Sequence, residues 1–201
     1  MIWPGHTIVM GRSGSGKTWH VYNTIVPKLH EKGISTLFWL GGHDPELLKV
    51  PAVYVNGTST VNDILTVLDS GKYVIGYRPH LRQKVANSEL LYWQGVLMRR
   101  SRPQRVAFIL DEAQRYAPQG SIDTGAHLLA TGGRKHGIEC YFVCQRVAEL
   151  SKTIAAQCAN WIIFEHSQID TDYLLDRGLR LSDRDLEGLR TTKYSHAFKQ
   201  L

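Results

Sequence analysis

Apolar residues in this chain fall into short unbroken runs, separated by longer stretches in which they recur every three or four positions. The runs are Thr7–Met10, Ser35–Leu40, Ala52–Val55, Tyr73–Tyr77, Val106–Leu110, Cys140–Cys144, Trp161–Glu165 and a weaker Tyr194–Phe198. Most are apolar at successive positions and not at every second one, as strands covered on both faces are. The stretches between them predict helices over Lys17–Glu31, Ser59–Asp69, Ser88–Arg100, Thr124–His136 and Thr171–Asp176, with further turns around Leu150–Ala159 and Asp183–Leu189. Strand and helix in alternation imply crossover connections. The expected architecture is therefore α/β, with a mostly parallel central sheet flanked by helices on both faces. Pro118-Gln119-Gly120-Ser121 reads as a long, mobile loop.

At 201 residues the chain fits one domain, and 43% hydrophobic with 21% charged residues is ordinary globular composition. Three cysteines, Cys140, Cys144 and Cys158, leave an odd thiol and have no zinc-finger spacing, which fits a reduced, intracellular compartment. The first residues lack a charged segment followed by an apolar one, and no run approaches the ~18 apolar residues of a bilayer span, so a soluble protein is expected. The nine histidines show no metal-site spacing. A net charge of +6 attracts polyanions at long range but is weak evidence alone. The basic run Arg99–Arg105 reads equally well as a solvated helix end.

One motif changes this picture. Residues 11–18 read Gly11-Arg12-Ser13-Gly14-Ser15-Gly16-Lys17-Thr18, a complete phosphate loop between an apolar strand and a helix. The peptide N–H groups of such a loop point at a triphosphate, the lysine reaches the β and γ oxygens, and the threonine hydroxyl ligates Mg²⁺. ATP and Mg²⁺ are the expected cofactors. A Gly/Ser linker is the bland reading, but linkers do not normally join a strand to a helix.

Val106–Leu110 ends in Asp111-Glu112, as expected of a neighbouring strand in a phosphate-loop enzyme. Asp111 would hold the magnesium shell, and Glu112 would orient and deprotonate a water for attack on the γ-phosphorus, which favours hydrolysis over transfer to a metabolite. Cys140–Cys144 ends in Gln145-Arg146. If that strand lies beside the first, Gln145 reaches the γ-phosphate and its hydrogen bonds report ATP against ADP. Arg134, in Gly132–Gly137, and Arg146 are candidates for an arginine supplied across a subunit boundary. For either, a surface ion pair is as good a reading.

Together these residues resemble the FtsK and HerA superfamily of ring-forming, DNA-pumping ATPases. The similarity rests on Gly11–Thr18, on Leu110-Asp111-Glu112-Ala113-Gln114-Arg115-Tyr116-Ala117-Pro118, and on Gly133-Arg134-Lys135-His136-Gly137 followed by Gln145–Ile154 and Gln157-Cys158-Ala159. It spans roughly residues 7–180. The resemblance implies a RecA-like sheet, a hexameric ring with sites between subunits, Gln145 as sensor and an arginine from the neighbour. Gln114 stands where cellular relatives commonly carry histidine. With six residues before the first strand and no winged-helix tail, the plan is similar to the genome-packaging ATPases of internal-membrane icosahedral viruses. The implied partners are double-stranded DNA and a capsid or internal-membrane vertex component. The implied location is the host cytoplasm, at the packaging vertex, and an isolated chain would be a weakly active monomer. Loops near Arg78–Lys84 and Arg115–Asp123 are candidate DNA linings.

Three other functions stay open on the sequence: a cellular HerA-like translocase in repair or plasmid transfer, a small-molecule phosphotransferase, and a non-catalytic DNA-binding subunit. Capsid or nuclease genes nearby separate the first from packaging. Stimulation of hydrolysis by duplex DNA, phosphorylation of an acceptor, or absence of turnover in the assembled ring decides the others.

Overall fold

The computed structural model describes residues 5–40, 52–55, 61–69, 74–99, 105–191 and 195–200. Eight strands form one sheet in the order β3-β4-β2-β5-β6-β1-β7-β8. They are β1 (His6–Met10), β2 (Ser35–Trp39), β3 (Ala52–Val55), β4 (Val74–Tyr77), β5 (Val106–Leu110), β6 (Ile138–Cys144), β7 (Cys158–Ile163) and β8 (Ala197–Gln200). Every pairing is parallel except β7 with β8. The expected fold class is therefore the observed one.

The unbroken apolar runs have the cause inferred from them. In β5, Val106, Phe108 and Leu110 enter one core cluster while Ala107 and Ile109 enter the other, and β1 divides Ile8 and Met10 from Val9 in the same way. Side chains alternate across the pleat, so a strand buried on both sides must be apolar throughout. One face is covered by α1 (Lys17–His20) and α2 (Val26–Glu31), which contribute Val21, Tyr22, Ile25, Val26 and Leu29 with the π-helical turn Val21–Ile25 between them. Pro27, just inside α2, has no N–H for a helical bond, and a widened turn before it is the natural relief. The other face takes α3 (Val61–Asp69), α4 (Gln83–Met98), α6 (Gly125–Gly132), α7 (Lys152–Gln157), α8 (Gln168–Asp176) and α9 (Asp183–Thr191).

Several boundaries differ from the sequence expectation. The helix expected over Ser88–Arg100 starts at Gln83, because its first turn is polar and carries no apolar period. The single helix expected over Thr124–His136 breaks at the Gly132-Gly133 pair, so that Gly133–His136 is a separate 3₁₀ turn. The last two strands are displaced, β7 to Cys158–Ile163 and β8 to Ala197–Gln200, since each is set by pairing with its neighbour. Tyr73, Ser59, Tyr194 and most of the basic run Arg99–Arg105 lie outside the described residues. Pro118–Ser121 is a tied turn and not a long loop: Pro118 bridges to Leu150, Gln119 N–H donates to the Glu149 carbonyl at 2.7 Å, and the Ser121 hydroxyl donates to the Pro118 carbonyl at 2.6 Å.

His6, at the start of β1, is wholly buried, and its Nδ1 accepts from the Cys140 N–H at 2.9 Å. Burial, helped by the Arg134 charge, holds its imidazole at about 4, below the ordinary 6.5. Because the native state resists a proton that the unfolded chain accepts, stability rises with pH between about 4 and 6.5 and is lost as pH falls through that window. A His6→Gln variant keeps an acceptor for Cys140 and removes the titration. Its melting temperature should fall less between pH 7.5 and pH 5 than that of the parent; an equal fall would show that His6 does not carry this dependence.

Candidate nucleotide site

The phosphate loop leaves the C-terminal end of β1, and its path is fixed by glycine. Gly11 has φ 151°, and a Cβ there would lie 2.6 Å from the Phe164 Cβ and 2.9 Å from the Glu165 carbonyl, so no side chain fits. Its N–H donates to the Cys144 carbonyl at 3.3 Å, and the Arg12 N–H donates to the Glu165 carbonyl at 2.7 Å, with an Arg12–Glu165 ion pair of 2.7 Å alongside. The loop is thus clamped between β6 and the end of β7. Gly16, at φ 99°, turns the chain into α1 in a left-handed conformation that side chains resist. The N-terminal end of the helical run through α2 then faces the loop, where free N–H groups and the helix dipole favour an anion.

Lys17 is buried, and its ammonium donates to the Arg12 carbonyl across the loop at 2.9 Å. Burial lowers its pKa, while Glu112 and Asp111 are among the negative groups that act against the shift. A desolvated cation facing two carboxylates and a ring of peptide dipoles is poised for an anionic ligand.

The acidic pair follows β5. Asp111 continues the ladder through its N–H to the Trp39 carbonyl at 3.2 Å, is itself buried, and accepts from the Glu112 N–H at 3.0 Å. β5 is not next to β1, however: β6 runs between them, paired in parallel with both. The expectation of a directly neighbouring acidic strand is corrected by one place, because run order says nothing of spatial order. The condition set for Gln145, that the Cys140–Cys144 strand lie beside the first, is met.

Glu112 has φ 51° and ψ 45°, a left-handed backbone that costs a non-glycine residue about 1–3 kcal/mol. It opens the short helix α5 (Ala113–Tyr116). Its two carboxylate oxygens are each held by an amide: Gln145 Nε2 donates to Oε1 at 2.7 Å and Gln114 Nε2 donates to Oε2 at 2.6 Å. Gln114, two residues on, was visible only as a departure from the cellular pattern.

A cavity of about 420 Å³ joins these groups. It is lined by Ser13, Gly14, Gly16, Lys17, Thr18 and Trp19 from the loop and α1, by Asp111 and Glu112, and by Val143, Cys144 and Gln145. The candidates from three separate strand ends therefore meet in one place, at the C-terminal edge of a parallel sheet, where such folds hold ligands. Thr18 and Asp111 bring hard oxygen donors to the same cavity, a set that suits Mg²⁺. The remaining loop residues, Gly11, Arg12 and Ser15, are not among the lining residues; their N–H groups bond to the Cys144, Glu165 and Arg12 carbonyls.

The two arginines stand apart. Arg146 is outside the cavity lining and pairs with Glu149 at 3.0 Å. Arg134 lies on the 3₁₀ turn before β6, at the opposite edge of the sheet, close enough to His6 to depress its pKa. Neither is among the residues that line the cavity, although Arg146 directly follows Gln145, which is. The three cysteines are free and buried, with thiol pKa values pushed up by burial. Among the described residues no cluster of His, Cys, Asp and Glu could hold a metal by itself, and no helix is long and apolar enough to cross a membrane.

No protein-family model matches the chain, and no curated protein matches it. Solved structures do. The genome-packaging NTPase B204 of Sulfolobus turreted icosahedral virus 2, solved with AMP, superposes with a TM-score of 0.74 over 100% of this chain and 94% of that one, at 17% identity. The same protein with ATP-γS gives 0.72 over 100% and 93%, at 20% identity. The pCW3 conjugation coupling protein TcpA, with ATPγS, gives 0.56 over 98% of this chain and 57% of its own length, at 15% identity. With its phosphate loop at the C-terminal end of β1 in an eight-stranded, mostly parallel sheet covered on both faces, the chain has the P-loop NTPase fold that these proteins share.

Proposed function

We propose that the chain is a Mg²⁺-dependent ATPase that drives double-stranded DNA into a viral capsid. The observation that carries the reading is the meeting of Lys17, Glu112 and Gln145 in one cavity against the phosphate loop, although the three are far apart in sequence. Lys17 and the loop N–H groups hold the β- and γ-phosphates. Thr18 and Asp111 hold the metal, which when bound offsets phosphate charge. Glu112 takes the proton of an attacking water, and Gln145, bonded to Glu112 here, transfers its amide to a γ-phosphate when one is present, so freeing one carboxylate oxygen.

Arg146 or Arg134 acts on the site of an adjacent copy, in a homo-oligomeric ring that we take to be hexameric. Arg134 stands at the far end of β6 from its own cavity, and Arg146 is engaged by Glu149 beside the lining residue Gln145, an arrangement that supports a role in trans most directly for Arg134. The DNA face is the exposed basic set Arg78, Arg82, Lys84 and Arg115. Gln83 Nε2 donates to the Arg115 carbonyl at 3.1 Å, so the two segments are joined, and Arg115 sits on the same short helix that Glu112 opens. A shift of that helix on nucleotide turnover would move phosphate contacts directly. A motor of this kind works in the host cytoplasm, docked at a capsid vertex.

ATPase rate measured against protein concentration, with and without linear duplex DNA, tests the reading. The rate per chain should rise with concentration, rise further with duplex, and disappear in Lys17→Ala. A rate independent of both, or phosphate appearing on a nucleoside acceptor instead of water, overturns it.

A further inference from the structure

The lining of the nucleotide cavity is small or polar with one conspicuous departure. Trp19, one residue past Thr18, is 53% exposed and is the aromatic among the lining residues. The other described tryptophans are core: Trp39 and Trp161 are fully buried and Trp93 is 3% exposed. A large apolar side chain left half in water at the rim of a cavity is the informative kind of exposure. Its position along the cavity fits a particular ligand end. Glu112, Gln145 and Lys17 mark the terminal phosphate, and the remaining phosphates of a bound chain run along the loop toward the first turn of α1. On the nucleotide-binding reading, whatever the phosphates are attached to would leave the loop beside Trp19, which lines the same cavity directly after Thr18.

We propose that Trp19 is the platform for the nucleobase, stacking its indole on the purine ring; this rests on the nucleotide-binding reading above. Every base offers a π-face, so the platform recognises ring area and not a hydrogen-bonding edge. A two-ring base overlaps an indole more fully than a one-ring base, and the site thereby prefers purine over pyrimidine nucleotides. Truncating the side chain costs the base and spares the phosphates.

The experiment uses the full chain, with calorimetric titration of ATP, CTP and inorganic tripolyphosphate, each with Mg²⁺, into the parent, Trp19→Phe and Trp19→Ala. Trp19→Ala should bind ATP ~10-fold more weakly, keep tripolyphosphate affinity within about twofold, and bring the ATP-over-CTP preference toward unity. Trp19→Phe should retain most of the parent's ATP affinity. In the parent itself, ATP should shield an acrylamide-accessible indole while tripolyphosphate leaves it accessible, a readout that survives even if the alanine variant folds poorly. Unchanged ATP binding in Trp19→Ala, or equal weakening of ATP and tripolyphosphate, overturns the platform while leaving the phosphate site standing. A parent chain that binds neither ligand overturns the nucleotide reading and the platform together.

Discussion

Replacing Glu112 by Gln should lower ATP turnover by ~10²–10⁴-fold, the usual worth of a positioned general base, and leave ATP affinity within about threefold. The reason for that split lies in geometry. The carboxylate lies in the cavity engaged with Gln114 and Gln145, and in the proposed mechanism its service begins only once water must be deprotonated. An amide in its place retains size and one acceptor oxygen, and the phosphate loop proposed to bind the nucleotide is untouched. Steady-state kinetics with a parallel measurement of ATP binding separates the two effects. Full turnover in the variant removes Glu112 from the reaction, and loss of binding would make it a structural residue.

Trp39→Ala should have the largest effect on stability, about 3–5 kcal/mol as for other buried aromatic truncations, which lowers the melting temperature of a domain this size by ~10 °C. The indole is fully buried and ties four elements together. It stacks on Tyr77 of β4 at 4.6 Å between ring centres and 23° between planes, meets Tyr116 of α5 edge-on at 5.9 Å, and lies 6.3 Å from Phe108 of β5. Its own carbonyl receives the Asp111 N–H. Tyr116 closes the helix that Glu112 opens, so the cavity left by the indole loosens the support of the acidic pair, and the rate per folded chain should fall as well. A variant that melts lower yet turns over at the parental rate would show that α5 is held independently of this cluster.

Much of the fold, and the residues that gather at the candidate site, were legible in the sequence. The phosphate loop is a contiguous motif whose spacing is its mechanism, and Gly11 shows why: the backbone at this position tolerates no Cβ. Buried parallel strands advertise themselves as apolar runs, as β5 did to the residue. What was hidden depends on partners far along the chain. The insertion of β6 between β1 and β5 follows from strand order, which no local pattern encodes. The first turn of α4 is polar, and its helical state comes with the rest of the helix, whose Leu90, Trp93 and Leu97 anchor it in the core. Gln114 stood out only as a departure from the cellular pattern, and Trp19 not at all, until the fold brought one against Glu112 and the other to the cavity rim.

The left-handed backbone of Glu112 carries a practical corollary. Glycine accepts that conformation without steric strain, at the cost of a more flexible unfolded chain, so Glu112→Gly would relieve the local strain and discard the acid in a single step. Where the strain released outweighs the bonds lost to Gln114 and Gln145, sorting variants by heat resistance alone favours chains that lack the proposed general base, so resilience at this codon has to be scored alongside ATP turnover.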